Sequence, residues 1–167
     1  MLMQNWYALV TKPQAETTAR LSLELRGFPT LLPLYRERRR WSDRWKTIER
    51  PIFPGYLFCE FDPGARRDVL TAPGVRSVVG LGAAMEPIPV EQISAIASAV
   101  AANAPLAPWD YLTAGERVRI AEGPLAGVEG ILAELKDSVR VVVSVELLRR
   151  SLAVEVDGQS RVVLPVP

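Results

Sequence analysis

Residues 52–61, Ile-Phe-Pro-Gly-Tyr-Leu-Phe-Cys-Glu-Phe, constrain the fold more than any other stretch of the chain. From Tyr56 onward the side chains alternate between two sides, which is the pattern of a pleated strand. One side carries Leu57, Cys59 and Phe61, all apolar, and is expected to pack on helices. The other carries Tyr56, Phe58 and Glu60, so it begins aromatic and ends charged. Two readings of that second side stay open at this point. Either both sides are core, as in a two-layer sheet, or the aromatic end is a water-facing patch on which a partner docks.

The segments around this strand read as alternating strands and helices. Residues 6–10, Trp-Tyr-Ala-Leu-Val, form an apolar run suited to a central strand. A helix is expected to open at Thr11 or Lys12 with Pro13 in its first turn, where a missing N–H costs nothing. It runs to about Arg26, with Ala15, Ala19, Leu23 and Leu25 as its apolar stripe, and Gly27 stops it. A second strand is expected over 30–35. Asp62-Pro63 reads as an N-cap and first turn of a short helix reaching Leu70. Residues 75–79 read as a further strand ended by Gly80 and Gly82. A helix over about 91–103 follows, with Ile93, Ile96, Ala97 and Val100 on its apolar face.

Residues 36–46, Arg-Glu-Arg-Arg-Arg-Trp-Ser-Asp-Arg-Trp-Lys, are too polar to be buried and read as a hairpin between strands. A basic surface loop is ordinarily only solvated. Trp41 and Trp45 argue for more, because cations interleaved with aromatic rings suit phosphate attraction plus stacking. The segment is therefore expected near nucleic acid, without sequence readout.

Residues 103–108, Asn-Ala-Pro-Leu-Ala-Pro, lack periodicity and read as a linker. After it come five short strand patterns: 117–120, one entered from the glycine-rich stretch 122–130, 139–145, 153–156 and 161–164. Five strands in so short a stretch suggest a small closed barrel, because closure removes exposed edges. No Gly-Lys-Ser/Thr follows the glycines, so a phosphate-binding loop is rejected.

Composition narrows the function. The chain has 167 residues, enough for one domain or two small ones. The absence of His removes Ser-His-Asp and Cys-His catalysis and every His-ligated metal. Cys59, the single cysteine, allows no internal disulfide and reads as a small core residue, since nothing is present to activate it. No run approaches membrane-spanning length and the start has no leader pattern, so a cytoplasmic, non-secreted protein is expected. An enzyme is the least favoured class, and no cofactor or metal is expected. Net charge is +1, but it divides unevenly: residues 1–105 hold 13 basic and 10 acidic groups, and residues 106–167 hold 7 and 9.

Motif order then adds a resemblance. Trp6-Tyr7, the run Phe53-Pro54-Gly55-Tyr56-Leu57-Phe58, Gly74-Val75, Gly115-Glu116-Arg117-Val118, and Gly123-Pro124-Leu125-Ala126-Gly127-Val128-Glu129-Gly130 resemble the bacterial NusG/RfaH family. The last of these is similar to a KOW motif. Lys12-Pro13 and the run from Phe53 to Pro63 look closer to the RfaH-like specialised branch. The resemblance implies an α+β chain: an N-terminal α/β sandwich over 1–103, a linker over 104–111, and a C-terminal all-β SH3-like KOW barrel over 112–167. It implies a monomeric transcription elongation or antitermination factor that binds the clamp helices of RNA polymerase, bridges the cleft and suppresses pausing or termination. On this view Phe53, Pro54, Tyr56 and Phe58 meet the clamp, and Arg66, Arg67 and Asp68 meet the opposite jaw. The family's threonine-rich stretch is missing at that second position. Lys12 and Arg20, with Arg38, Arg39, Arg40, Trp41, Arg44, Trp45 and Lys46, lie near upstream or non-template DNA.

The barrel is expected to recruit a helper, either a small-subunit ribosomal protein or Rho. Leu148 and Arg149 match the Phe-Gly pair at a loop tip of housekeeping members. Arg50 replaces the acidic residue that helps RfaH mask its N-domain with a refolded helical C-domain. The β-branched run 139–145 also disfavours helix. A barrel throughout, with no masking, is therefore expected. The alternative function is a KOW-containing RNA-binding or ribosome-associated module, against which the acidic excess of the C-terminal part argues.

Overall fold

A computed structural model describes residues 4–81, 84–112, 114–135, 138–156, 162–163 and 166. The chain forms two compact units, Met1–Leu32 with Phe53–Val90, and Pro33–Ile52 with Glu91–Pro167.

The first unit is built on a four-stranded sheet in the order β2-β5-β1-β6, with β1 at Asn5–Thr11, β2 at Thr30–Leu31, β5 at Tyr56–Phe61 and β6 at Val75–Val78. All its pairings are antiparallel. β5 lies between β1 and β2, with Tyr7 opposite Cys59 and Thr30 on its other side. This central place explains its composition, since a strand paired on both edges and covered on both sides must be apolar. Leu57, Cys59 and Phe61 are buried, and so is Phe58 on the other side. The open question about that side is thus answered for Phe58: it is core. The Tyr7 and Phe61 rings meet at 4.6 Å, and Phe28 approaches Phe61 edge-on.

Helix α1, Glu16–Leu25, packs on β2 and β5. It starts later than expected. Pro13 lies in a turn before it, Gln14 takes a left-handed φ of 58°, and Ala15 caps it without a side-chain bond. Its buried residues are Glu16, Ala19 and Leu23. Leu25 is 90% exposed, a correction to the expected stripe: it lies about 140° around the helix axis from the mean direction of Ala19 and Leu23. After β5, Asp62 accepts a bond from Gly64 N at 2.7 Å and caps a 3-10 turn, Pro63–Ala65, that leads into α2, Arg66–Leu70. The β6 strand is followed by a small hairpin of β7, Gly80–Leu81, and β8, Ala84–Met85. Gly82 lies outside the described residues.

The second unit holds a two-stranded hairpin, a helix and a six-stranded sheet. The hairpin pairs β3, Leu34–Trp41, with β4, Arg44–Pro51, in unbroken register. The strand expected over 30–35 is split between β2 and β3 at Leu32-Pro33, where proline supplies no N–H for a ladder. Helix α3, Val90–Ala101, buries Ile93, Ala95, Ile96 and Ala99. Val100 is exposed and Ala97 half-buried, so the apolar face is rotated from the expected one by small alanines that the pattern underweighted.

The sheet runs β14-β10-β11-β12-β13-β9, with β9 at Leu106–Trp109, β10 at Arg117–Ile120, β11 at Glu129–Leu135, β12 at Ser138–Val145, β13 at Arg150–Val156 and β14 at Val162–Val163. All five strands expected after residue 111 are present, although Arg161 and Leu164 lie outside the described residues. β9 is a correction. It falls in the segment read as an irregular linker and pairs with β13, placing Pro108 opposite Leu152 and Trp109 opposite Ser151. Prolines in an edge strand cost only unused donors, which is why the composition misled. The tie is reinforced by side chains: Ser151 Oγ accepts from Leu112 N, Ser144 Oγ donates to Leu112 O, and the two hydroxyls are 2.6 Å apart. The hairpin and most of α3 also group with this unit, and β3 touches β9. At Gly130 in β11 a Cβ would overlap the Val142 carbonyl oxygen of β12, so the motif glycine permits that close crossing.

Gly74 closes the turn between α2 and β6 at a φ of +88°, and a Cβ there would stand 2.9 Å from Ala19 N. Gly74→Ala is expected to lower unfolding free energy by roughly 2 kcal/mol, read by urea denaturation.

Burial, and secondarily the Glu60 charge, push the Cys59 thiol up from 9.0 to about 12. The folded protein therefore keeps a proton that the unfolded chain releases above pH 9. This group makes stability fall as pH rises from about 9 toward 12 and contributes no slope below. Cys59→Ala should flatten that part of a stability profile, and native Cys59 should resist thiol reagents at pH 8 until denatured.

Candidate functional site

The residues singled out by sequence fall into separate groups. In the first unit, the loop before β5 is a tight turn. Tyr56 N donates to Phe53 O at 3.0 Å, with Pro54 and Gly55 in the central positions and Gly55 at φ +84°. Pro then Gly is what a type II turn demands. The turn is held from both sides. Thr11 N donates to Gly55 O at 2.9 Å, and Gly55 N donates to the buried Glu16 carboxylate at 2.9 Å. Glu16 was not among the expected functional residues. An acid in a first helical turn ordinarily reads as a complement to the helix dipole, and nothing local distinguishes this one.

The turn sends Phe53 inward. Phe53 and Phe58 meet edge-on at 5.7 Å and are 2% and 1% exposed, so neither forms part of a water-facing patch. This corrects the expectation that they contact a partner directly. The reason lies in the turn, which brings the Phe53 ring onto Phe58 and lets the two bury each other. Pro54 remains exposed and Tyr56 half-buried, and these two are what the loop presents.

Arg66, Arg67 and Asp68 are exposed on α2. The helix is fastened to the end of α1 by Arg26, which donates to Asp68 O at 2.6 Å and to Thr71 Oγ1 at 2.9 Å. Lys12 is exposed where β1 ends, and its backbone N–H donates to Gly74 O. Arg20 is half-buried, with Nε enclosed and unpartnered among the described residues.

In the second unit, the hairpin turns at Ser42-Asp43, with Ser42 at φ 50°. Trp41 and Trp45 are each 58% exposed. Arg38 lies over the Trp45 ring at 5.0 Å and Lys46 over the Trp41 ring at 5.5 Å, both from diagonal positions across the ladder. Glu37 faces Arg50 at 2.6 Å and Arg39 at 3.4 Å, and Glu49 lies 4.0 Å from Arg36. Among the described residues, Arg38, Arg40, Arg44 and Lys46 form no ion pair. The Arg50–Glu37 pair answers what occupies Arg50: a charge within its own hairpin.

Leu148 ends a 3-10 turn, Glu146–Leu148, between β12 and β13, and is half-buried. Arg149 follows at φ 50°, ψ 47°, a left-handed position that glycine adopts without cost. Among the described residues no group of three or more acidic, Cys or His side chains is placed to hold a metal. No helix described is long and apolar enough to cross a membrane.

A sheet unit with helices, an all-antiparallel second sheet and an exposed cationic hairpin define a two-part α+β protein. Comparison with known proteins gives the family. The model of the family described as "Transcription termination factor nusG" matches residues 4–97, more than half the chain, and the chain belongs to the NusG family of transcription factors. Proteins named "Transcription termination/antitermination protein NusG" are similar along most of its length. The one from Thermus thermophilus is 28% identical over 92% of this chain and 95% of its own. That from Halalkalibacterium halodurans is 27% identical over the same shares. The Borreliella burgdorferi protein is 30% identical over 66% of this chain and 67% of its own. A solved structure titled "Domain interaction in Thermotoga maritima NusG" matches with a TM-score of 0.57 at 20% identity, covering 95% of this chain and 97% of that one. This last likeness concerns the fold.

Since a non-glycine residue in the left-handed region costs about 1 kcal/mol, Arg149→Gly is expected to stabilise the protein by about that amount, raising Tm by a few degrees in a thermal melt.

Proposed function

We propose that this chain is an elongation and antitermination factor that docks on the clamp helices of RNA polymerase and bridges the cleft. Its place of work is then the cytoplasm. The observation that carries the reading is the family match over residues 4–97, which contains the Phe53–Tyr56 turn, α2 and the basic hairpin together. Phe53 and Phe58 are buried and do not take part in the contact surface. The contact is made by the rim of Pro54 and Tyr56, and the two buried rings act as a rigid support beneath it. Burying a Tyr-sized ring stabilises a complex by roughly 1.5–3 kcal/mol before association costs, so a rim this small needs help from elsewhere. Arg66, Arg67 and Asp68 on α2 provide a second contact to the opposite jaw. The unpaired cations of the hairpin attract upstream or non-template DNA.

No chemistry is required. A factor touching both jaws binds the closed clamp better than the open one and shifts the population toward elongation. The sheet of β10–β14 serves as an SH3-like KOW barrel, with residues 1–103 and 112–167 as the functional halves. Leu148 at the β12–β13 tip offers an apolar contact to a helper such as a small-subunit ribosomal protein or Rho.

The test is co-purification with core RNA polymerase. Tyr56→Ala together with Pro54→Ser should lower retention at least tenfold while the denaturation midpoint stays close to wild type. Phe58→Ala is unsuitable, because emptying a core ring site costs about 3–5 kcal/mol and unfolds as readily as it unbinds. Undiminished retention of the rim variant would overturn the reading.

A further inference from the structure

Helix α3 and the second sheet are joined by almost no free chain. Ala102, Asn103 and Ala104 donate their N–H groups back to Ser98 O, Val100 O and Ala99 O, with Asn103 at a left-handed φ of 53°, so the helix is closed off as far as Ala104. β9 begins at Leu106. Pro105 alone separates the capped helix from a strand of the sheet.

That strand is thinly held. Glu155 N donates to Pro105 O at 3.0 Å. Hydrogen-bonded and non-hydrogen-bonded pairs alternate along an antiparallel ladder, so the next hydrogen-bonded pairs are Ala107 with Ala153 and Trp109 with Ser151. Pro105 returns no donor to this ladder. Pro108 turns its nitrogen to the free side, where it blocks further growth of the sheet. Leu106, Ala107 and Trp109 are half-buried and Pro108 is exposed, whereas Leu152, Ala153 and Val154 of β13 are buried. Arg140 of β12 lies 5.5 Å from the Trp109 ring. β3 touches β9 without joining its ladder. β9 therefore adds no fully buried side chain to a sheet whose core residues, among them Val118, Ile120, Val141 and Val143, lie on the other strands.

The chain just beyond β9 is fastened differently. Leu112 N donates to Ser151 Oγ, and Leu112 O accepts from Ser144 Oγ. Both hydroxyls belong to β12 and β13, so this fastening does not need the β9 ladder and marks where peeling of β9 would stop.

We infer that β9 is a releasable strand that sets the length of the tether between α3 and the second sheet. Zipped onto β13, it closes the sheet edge and leaves Pro105 as the tether. Peeled back to Leu112, it frees residues 105–111, seven residues that reach about 24 Å when extended, while β10–β14 stay folded.

The experiment is native-state amide hydrogen exchange by NMR on the full wild-type chain. Along β13 the N–H groups of Ser151, Ala153 and Glu155 face β9, and those of Leu152 and Val154 face β12. The three facing β9, together with Ala107 and Trp109, should exchange about a hundredfold faster than Leu152 and Val154 and with one common opening equilibrium, while Leu112 stays with the slow group. Ala107→Pro removes a ladder donor and should hold the strand off. In that variant the three β13 amides should lose protection and Leu152 and Val154 keep theirs. Chymotrypsin should cut it after Trp109 or Tyr111 about tenfold faster than wild type. Equal protection on the two sides of β13, graded instead of common rates among the amides facing β9, or an Ala107→Pro chain that unfolds or exposes Leu152 and Val154 as well overturns the inference. Neither readout involves polymerase, so failure here leaves the reading of the Pro54 and Tyr56 rim standing, and the reverse.

Discussion

The antiparallel pairing of β5 with β1, pinned at one end by the turn at Gly55, is the interaction on which the first unit depends. Six consecutive residue pairs, from Asn5 opposite Phe61 to Val10 opposite Tyr56, fix which side chains of β5 face which way. A slip of one residue would turn Leu57, Cys59 and Phe61 out of the core. Two bonds to Gly55, from Thr11 N and to Glu16, prevent that slip. They tie the end of β1, the start of α1 and the start of β5 to a single residue. The Glu16 carboxylate is buried, and an isolated buried charge is costly. Its bond to Gly55 N–H is thus a condition for tolerating the acid there as well as for holding the turn.

The consequence for function is that rigidity and exposure are divided between neighbouring residues. Phe53 and Phe58 fill the space under the turn and expose nothing. Pro54 is exposed and Tyr56 half-buried beside them. A surface anchor loses less entropy on binding when its support is already ordered. The hairpin of the second unit follows a different rule. Its tip buries little and has no apolar layer of its own. Cross-strand pairing, stacked cations and the Glu37 pairs hold it, all of them surface interactions worth a fraction of a kcal/mol to about 1 kcal/mol each.

Secondary structure in this chain was legible wherever one signal dominated. Alternation marked β5 and β10, Asp62-Pro63 marked a cap, and the charge run with two tryptophans marked a hairpin. It was misread where two signals conflicted. Prolines and alanines at 104–108 said linker, yet Leu106–Trp109 is a strand, because an edge position does not use the donors that proline lacks. Leu25 and Val100 said buried, yet both are exposed, because helix phase is set by the neighbour against which the helix packs. Ser144 and Ser151, seven residues apart, gave no hint that their hydroxyls would meet and hold Leu112.

By itself the sequence determined the class of protein: apolar strands and helical stripes enough for an α+β core, a chain without histidine, a cationic aromatic segment, and the motif order of the NusG family. These are local properties, carried by residue type and spacing, and they survive without knowing what packs on what. Only the tertiary structure decided that Phe53 and Phe58 lie inside while Tyr56 and Pro54 form the rim, that Glu16 holds the turn, and that Trp41 and Trp45 look in opposite directions. Each of those depends on register and on contacts between residues far apart in the chain. A one-dimensional pattern leaves these unspecified, because either side of a strand can be the covered one until its partners are in place.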